Sequence, residues 1–330
     1  MKKRTLLLYI IFSSALLLAQ PQFSSLGSMP GAFSRLGFGA RGMGMGNAMS
    51  SITEGNIVSY YNPALSVFQE GNSFQTSYSF LSLDRSLNFV NFTRKFDFYS
   101  VKDSTKPRST AGLSIGLINS GVSNIDGRDA DGVQTGNLAT SENQFFLGLA
   151  NRFSDKVSVG IAFKLYYYKL YQQITATAFG IDIGGLYKIN EHFNLSLMVS
   201  DLNSKYNWDS SPLYGTDGTT SENKFPLMKK IGLSYSNKES KILLSVEFES
   251  SNGGTNIIRA GAEYNVIESL YFRAGFDQFN ISNSDWPVKP TAGFSYFKQF
   301  GNIIVGVDYA FMIEQNSPSD RHIVGLSINF

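Results

Sequence analysis

The sequence predicts an all-β protein: a transmembrane antiparallel β-barrel of about fourteen strands, preceded by a plug-like segment. Three observations carry this. Apolar and polar residues alternate through repeated short segments, charges keep to one phase of that alternation, and short and long connections take turns. In Val157–Tyr167 the residues Val157, Val159, Ile161, Phe163 and Leu165 share one face, with Ser158, Gly160, Ala162, Lys164 and Tyr166 on the other. Residues two apart in a strand point the same way, so the segment has one apolar and one mixed side. Ile242, Leu244, Val246 and Phe248 likewise oppose Ser245, Glu247 and Glu249, and Phe272, Ala274 and Phe276 oppose Arg273, Gly275 and Asp277. Lys164, Asp182, Glu247, Arg259, Glu263, Arg273, Asp277 and Asp308 all lie out of phase with the bulky stripe of their own segment. A basic residue facing lipid at the bilayer midplane costs ~2–4 kcal/mol, so a barrel in lipid enforces this phase. A soluble sandwich also alternates, with its apolar face inward. Segment lengths near the ~9–11 residues that span a bilayer, together with aromatic residues near segment ends, favour the barrel.

Taken in order, the strands are expected at 73–82, 86–97, 110–120, 142–152, 157–170, 174–189, 193–202, 227–236, 240–249, 256–266, 269–279, 289–300, 302–313 and 321–330. Short connections such as Ser154-Asp155-Lys156, Asn190-Glu191-His192, Asn237-Lys238-Glu239 and Gln299-Phe300-Gly301 follow even-numbered strands. Longer ones, Gly121–Ser141, Asn203–Pro226, Asn280–Val288 and Glu314–Asp320, follow odd-numbered strands. Outer-membrane barrels have short periplasmic turns and longer outer loops, so this parity places both barrel ends in the periplasm. The connection Phe98–Ser109 is longer than its parity predicts. The final stripe of Val324, Leu326, Ile328 and Phe330 resembles the terminal signal read by the barrel assembly machinery, with Phe330 as its last residue.

Ahead of the barrel, Met1-Lys2-Lys3-Arg4 is a positive n-region, and Thr5–Ala19 is an apolar run shorter than the ~20 residues of a spanning helix. The expected organisation is a signal peptide at 1–19 cut near Ala19–Gln20, a segment at 20–72, and an outer-membrane barrel at 73–330. After Ala19 no apolar run approaches the length of a membrane helix, which excludes inner-membrane transporters and channels built from helices.

Composition excludes several chemistries. With no Cys there is no disulfide framework, thiolate zinc site, iron–sulfur centre or cysteine nucleophile. The 28 Lys plus Arg against 26 Asp plus Glu give no general nucleic-acid-binding charge. Gly37-Phe38-Gly39-Ala40-Arg41-Gly42 matches G-x-G-x-x-G but has no preceding strand, and Gly112-Leu113-Ser114-Ile115-Gly116 matches G-x-S-x-G inside an alternating strand, which makes Ser114 lumen-facing. Only His192 and His322 offer a histidine base, and no triad can be assigned. Asp126-Gly127-Arg128-Asp129-Ala130-Asp131-Gly132 departs from a calcium loop at its first and twelfth ligand positions, held by Gly127 and Leu138. No catalytic residue, cofactor or metal site is therefore expected.

The segment before the barrel carries the most distinctive motifs. They are Gly37-Phe38-Gly39-Ala40-Arg41-Gly42-Met43-Gly44-Met45-Gly46-Asn47-Ala48 and Ser59-Tyr60-Tyr61-Asn62-Pro63-Ala64-Leu65. Closely spaced glycines let backbone approach backbone in a crowded lumen, and Pro63 fixes a turn. These motifs resemble the amino-terminal signature of the PorV/PorQ family of outer-membrane proteins, related to the FadL group of hydrophobic-compound transporters. The resemblance implies an N-terminal hatch in the lumen, marked by Gly39, Arg41, Gly42, Gly44, Gly46, Asn62, Pro63 and Ala64.

It further implies an accessory or interaction role in type IX secretion and cell-surface attachment. The partners would be a secretion translocon or exported proteins with a C-terminal sorting domain, besides outer-membrane lipid. Contacts would lie in the outer loops, with Tyr206, Trp208 and Tyr214 as candidate anchors. The alternative is FadL-like passive uptake of a hydrophobic small molecule, with Phe38, Met43 and Met45 as hatch-side contacts. The assigned phase makes charge reversal at Asp182 or Asp308 milder than Lys at Val159 or Phe272, and assembly yield in membranes checks it.

Overall fold

A computed structural model describes residues 24–100 and 103–330, and the expected signal peptide lies outside them. Among the described residues sixteen strands form: β1 (Asn72–Phe80), β2 (Arg85–Ser100), β3 (Asp103–Arg128), β4 (Gln134–Arg152), β5 (Val157–Tyr171), β6 (Ile174–Lys188), β7 (Phe193–Leu202), β8 (Lys205–Asp209), β9 (Thr220–Lys224), β10 (Met228–Asn237), β11 (Ile242–Ser251), β12 (Thr255–Ile267), β13 (Leu270–Asn280), β14 (Lys289–Phe300), β15 (Ile303–Met312) and β16 (Arg321–Asn329). Fourteen of them close an antiparallel barrel by pairing β1 with β16, and β8 and β9 make a separate hairpin between β7 and β10. Closure leaves no barrel edge with unpaired backbone groups in the lipid, which is what hydrocarbon demands.

The alternation maps onto the wall as its phase requires. Val159, Phe163, Ile183, Val246, Phe272 and Val307 are exposed, whereas Lys164, Asp182, Glu247, Arg259, Glu263, Arg273, Asp277 and Asp308 are buried in the lumen. Cross-strand register joins the outward residues into one belt: Tyr78, Val324, Tyr309, Phe294, Phe272, Tyr264 and Ile242 are successive partners from β1 round to β11. The belt starts near the loop end of β1 and finishes beside the short turn before β11, so the strands are tilted, as closure of a twisted sheet requires. Followed the other way, the row runs Tyr78, Asn88, Asn119, Asn143, Tyr167, Thr177 and turns polar. The Asn88 side chain donates to Asn119 Oδ1 at 3.2 Å, and that of Asn119 to Asn143 Oδ1 at 2.7 Å. One step toward the turn end, the row Val90, Leu117, Phe145, Leu165 and Phe179 is entirely apolar. The outward face of β2–β4 thus changes from apolar to polar at the asparagine ladder.

Three expected connections are corrected. Gly121–Ser141 is mostly strand: β3 and β4 continue as a ribbon through Ile125–Leu138 and Asp126–Asn137 to Arg128–Gln134, beyond the last pairings with β2 at Val122 and β5 at Ser141. Its sequence alternates too weakly to show a strand, because few side chains there are buried. The over-long Phe98–Ser109 connection is likewise a hairpin, pairing Phe98 with Ser109 and Tyr99 with Pro107. Asn203–Pro226 holds the β8–β9 hairpin and a short helical turn at its tip.

Two neighbouring outward positions on β4 test the membrane boundary. Phe145→Lys should cost ~2–4 kcal/mol of barrel stability and Asn143→Lys ~0–1 kcal/mol, read as urea-unfolding midpoints of the reconstituted protein.

Candidate functional site

The lumen is filled by the segment from Ser24 to Gly71, whose Phe38, Met43, Met45, Met49, Ile52, Ile57, Tyr61 and Leu65 are buried. Two patches of small inward residues on the wall let it lie flat. On one side, Gly184, Gly160, Ala150 and Gly112 are successive register partners across β6, β5, β4 and β3. A Cβ on Gly184 would collide with the Asn62 side chain, one on Gly160 with the Pro63–Ala64 backbone, and one on Gly112 with Ser66. The Asn62 side chain then accepts from Ala64 N–H at 3.0 Å and donates to the carbonyls of Ser50 at 2.9 Å and Gly185 at 3.2 Å. This caps the 3-10 turn Pro63–Phe68, where proline suits a position whose N–H needs no partner.

On the opposite side Ser245, Gly261, Gly275 and Thr291 pair in one row across β11–β14. Met45 and Gly46 rest there: a Cβ on Gly261 would meet the Met45 carbonyl, and one on Gly46, whose φ is 58°, would meet the Phe276 carbonyl. Gly39 and Gly42 belong to the same device. Gly39 adopts φ 71° before α1 (Ala40–Gly44), and Gly42 leaves room for the Tyr61 ring. Gly44 packs on Arg273, and its carbonyl accepts from Thr291 Oγ1 at 3.2 Å. Gly44, Gly46, Pro63 and Ala64 thus lie against the wall, Asn62 caps a turn and Gly42 clears space for Tyr61, whereas open space surrounds Gly39.

Interior charges are paired across the same interfaces. Arg41 of α1 grips Glu263 of β12 with two hydrogen bonds at 2.9 and 3.0 Å, and donates to the Glu54 carbonyl at 2.6 Å. Burial alone would lower the Arg41 guanidinium, but the surrounding carboxylates, Glu263 first and then Asp308 and Glu54, together hold the pKa above its ordinary value. Arg273 also binds Glu263 and, through Ser295, approaches Asp308. Arg259 joins Asp277 at 2.6 Å and Glu249 at 2.9 Å, while Asp277 accepts from Asn47 at 2.8 Å. Asn47 Oδ1 lies 2.7 Å from the Tyr61 hydroxyl, which accepts from Phe38 N–H at 3.0 Å. Burial raises the Tyr61 pKa, so that hydroxyl keeps its proton.

Lys164 on β5 lies 2.7 Å from Asp182 and 3.2 Å from Asp201. The expectation of a mild charge reversal at Asp182 is therefore corrected: Lys there would face Lys164 in a packed interior. Removing one partner of a buried pair costs ~3–5 kcal/mol, and reversing it costs more.

The remaining candidate residues fall in separate places. Ser114 is buried in the lumen and donates to Asn91 Oδ1 at 2.8 Å. His192 lies in a turn against the Ser236 carbonyl and His322 beside Tyr309 on the outer face, so the structure does not bring the two together. Among the described residues, no group of three or more His, Cys, Asp or Glu could hold a metal. Phe330 is exposed, and its backbone pairs with Asn72.

Of the three loop aromatics only Tyr214, at 62% exposure, is free to meet a partner. Tyr206 is corrected as a surface anchor: it is wholly buried, 4.9 Å from Phe225 and 6.5 Å from Tyr166 between ring centroids. Trp208 is half-buried, 5.3 Å from Tyr168. Tyr168, Trp208, Leu170 and Ile174 line an open groove of about 440 Å³ at the loop end. Two small cavities lie inside the lumen, a polar one of about 30 Å³ and one of about 20 Å³ beside Phe38, Met49, Val58 and Phe89. Two vestibules open at the turn end, of about 580 Å³ and about 390 Å³.

No protein-family model and no curated protein matches the chain. Solved structures do match. The Pseudomonas putida toluene transporter TodX is 14% identical over 88% of this chain and 96% of its own, with a TM-score of 0.59. The CymD monoaromatic hydrocarbon channel is 14% identical over 89% and 98%, at 0.60. A Pseudomonas aeruginosa FadL homologue is 10% identical over 88% and 97%, at 0.53. At these identities the likeness shows the fold alone, a closed antiparallel barrel like those of these outer-membrane proteins. It gives the PorV/PorQ reading of the motifs no support.

Adjacent glycines on β6 test the patch beneath Asn62. Gly184→Ala should lose ~1–3 kcal/mol through overpacking, whereas Gly185→Ala, whose Cβ meets nothing nearer than 3.9 Å, should unfold at the wild-type midpoint in urea.

Proposed function

We propose that the chain is a passive outer-membrane channel for hydrophobic small molecules, in line with the hydrocarbon channels and transporters whose fold it shares. The observation that carries this reading is the combination of a packed lumen with an apolar groove at its outer end. A lumen filled by the buried Phe38, Met43, Met45, Met49, Ile52 and Tyr61 leaves little standing bore for hydrophilic solutes. The groove instead offers Tyr168, Trp208, Leu170 and Ile174, side chains that favour an apolar molecule over water. Carriage needs no energy source in this scheme, since partition into the groove and release at the periplasmic end follow the concentration gradient.

The type IX interaction role is the second reading. It is favoured by the β3–β4 ribbon, whose exposed Asp129, Ala130, Asp131 and Val133 stand beyond the neighbouring strands, and by the exposed Tyr214. Such surfaces suit a protein partner, with the luminal segment serving as a permanent plug.

Uptake of labelled toluene by cells expressing the protein separates the two. The channel reading expects faster initial uptake than in cells expressing an empty vector, and a loss of about tenfold for Trp208→Ala, equivalent to ~1.4 kcal/mol of lost apolar contact. Uptake equal to the vector control, with exported proteins crosslinked to the ribbon, would move the assignment to secretion.

A further inference from the structure

We infer that the molecule held in the outer groove is an aromatic compound carrying a neutral hydroxyl group, and neither a bare hydrocarbon nor a carboxylate. This rests on the uptake reading above and names the class of compound the groove takes. The hairpin sets Trp208 of β8 opposite Ser221 of β9, and Tyr206 opposite Asn223. Directly opposed residues of an antiparallel pair share a face, so this face carries an aromatic column on one strand and a polar column on the other. Tyr206 is covered by Phe225 and Tyr166, whereas Trp208, Ser221 and Asn223 line the groove together with Tyr168, Leu170 and Ile174. A ring resting on Trp208 is therefore about one strand spacing, ~5 Å, from the polar column.

The polar side chains along the groove are of two kinds. Ser210 and Thr219 satisfy one another: Ser210 Oγ donates to the Thr219 carbonyl at 3.0 Å and accepts from the Thr219 N–H at 2.9 Å. Ser221 and Asn223 are exposed, and their side chains have no hydrogen-bond partner among the described residues. Groups of that kind bond to water when nothing else is present. A bare hydrocarbon would displace the water and return nothing, whereas a hydroxyl both donates and accepts in its place.

Charge sets the second limit. Asp209 lines the groove, and hydrogen bonds from Ser211 hold its carboxyl below the ordinary carboxylate range, so it is ionised at neutral pH. The two lysines of the hairpin, Lys205 and Lys224, lie on its other face, where both meet Glu222. Among the described residues lining the groove there is no Lys or Arg. A carboxylate seated there would face a like charge with no base to answer it.

Toluene, benzyl alcohol and benzoate place a methyl, a hydroxymethyl and a carboxylate group on the same ring, so they isolate the substituent. The chain has two Trp, and Trp286 sits apart, against Gln278. In Trp286→Phe the emission of Trp208 therefore reports binding of each compound to the purified, full-length barrel. Adding Ser221→Ala and Asn223→Ala should weaken benzyl alcohol roughly fivefold, the worth of one ordinary net hydrogen bond, and leave toluene unchanged. Benzoate should bind more weakly than benzyl alcohol. Equal losses for toluene and benzyl alcohol, no change for either, or benzoate binding as tightly as the alcohol overturns the class and leaves the uptake reading in place. Emission unmoved by all three compounds overturns both.

Discussion

The structure depends on backbone-to-backbone contact between the luminal segment and the barrel wall. A closed barrel of fourteen strands is too wide for its own side chains to fill, so a second piece of chain must occupy the lumen or water will. That piece can sit within bonding distance of the wall only where the wall has no side chains. Gly112, Gly160 and Gly184 clear one such place, and Gly261 and Gly275 the other. Each glycine weakens its strand a little, since it packs nothing and loses more chain entropy. The cost is offset by the apolar and polar surface the segment then buries.

Once the lumen is filled, polar side chains inside it lose water and must find partners among themselves. The inward charges are therefore organised into chains that run from wall to segment and back, such as Arg273–Glu263–Arg41 and Arg259–Asp277–Asn47–Tyr61. Their net contribution to stability is small, because desolvation consumes most of the attraction. What they supply is register: each charge has one place in which it is satisfied, and a displaced segment would leave several of them bare.

The same packing shapes the function proposed. A permanent wide passage would leak solutes, whereas a filled lumen excludes them. Arg41 holds a motif helix to the wall and also borders a vestibule at the turn end. At the outer end the β8–β9 hairpin folds its Tyr206 onto Tyr166 and Phe225 and sets Trp208 along the groove.

The sequence by itself determined the wall. Twofold alternation located fourteen strands, and the phase of eight charges on six of them marked which side turns away from lipid. It also marked Gly39–Ala48 and Asn62–Ala64 as unusual, and an unread signal was present in the inward-phase glycines of the strands. The sequence could not say that Glu263 belongs to Arg41, or Asp182 to Lys164, since each pairing joins residues set adjacent only by closure of the barrel around the segment. It could not show the β3–β4 ribbon, whose exposed strands carry no burial pattern, nor that Tyr206 turns inward beneath its hairpin. Local chemistry fixes which side of a strand faces lipid; which residue faces which across a filled lumen is fixed only when all fourteen strands are in place.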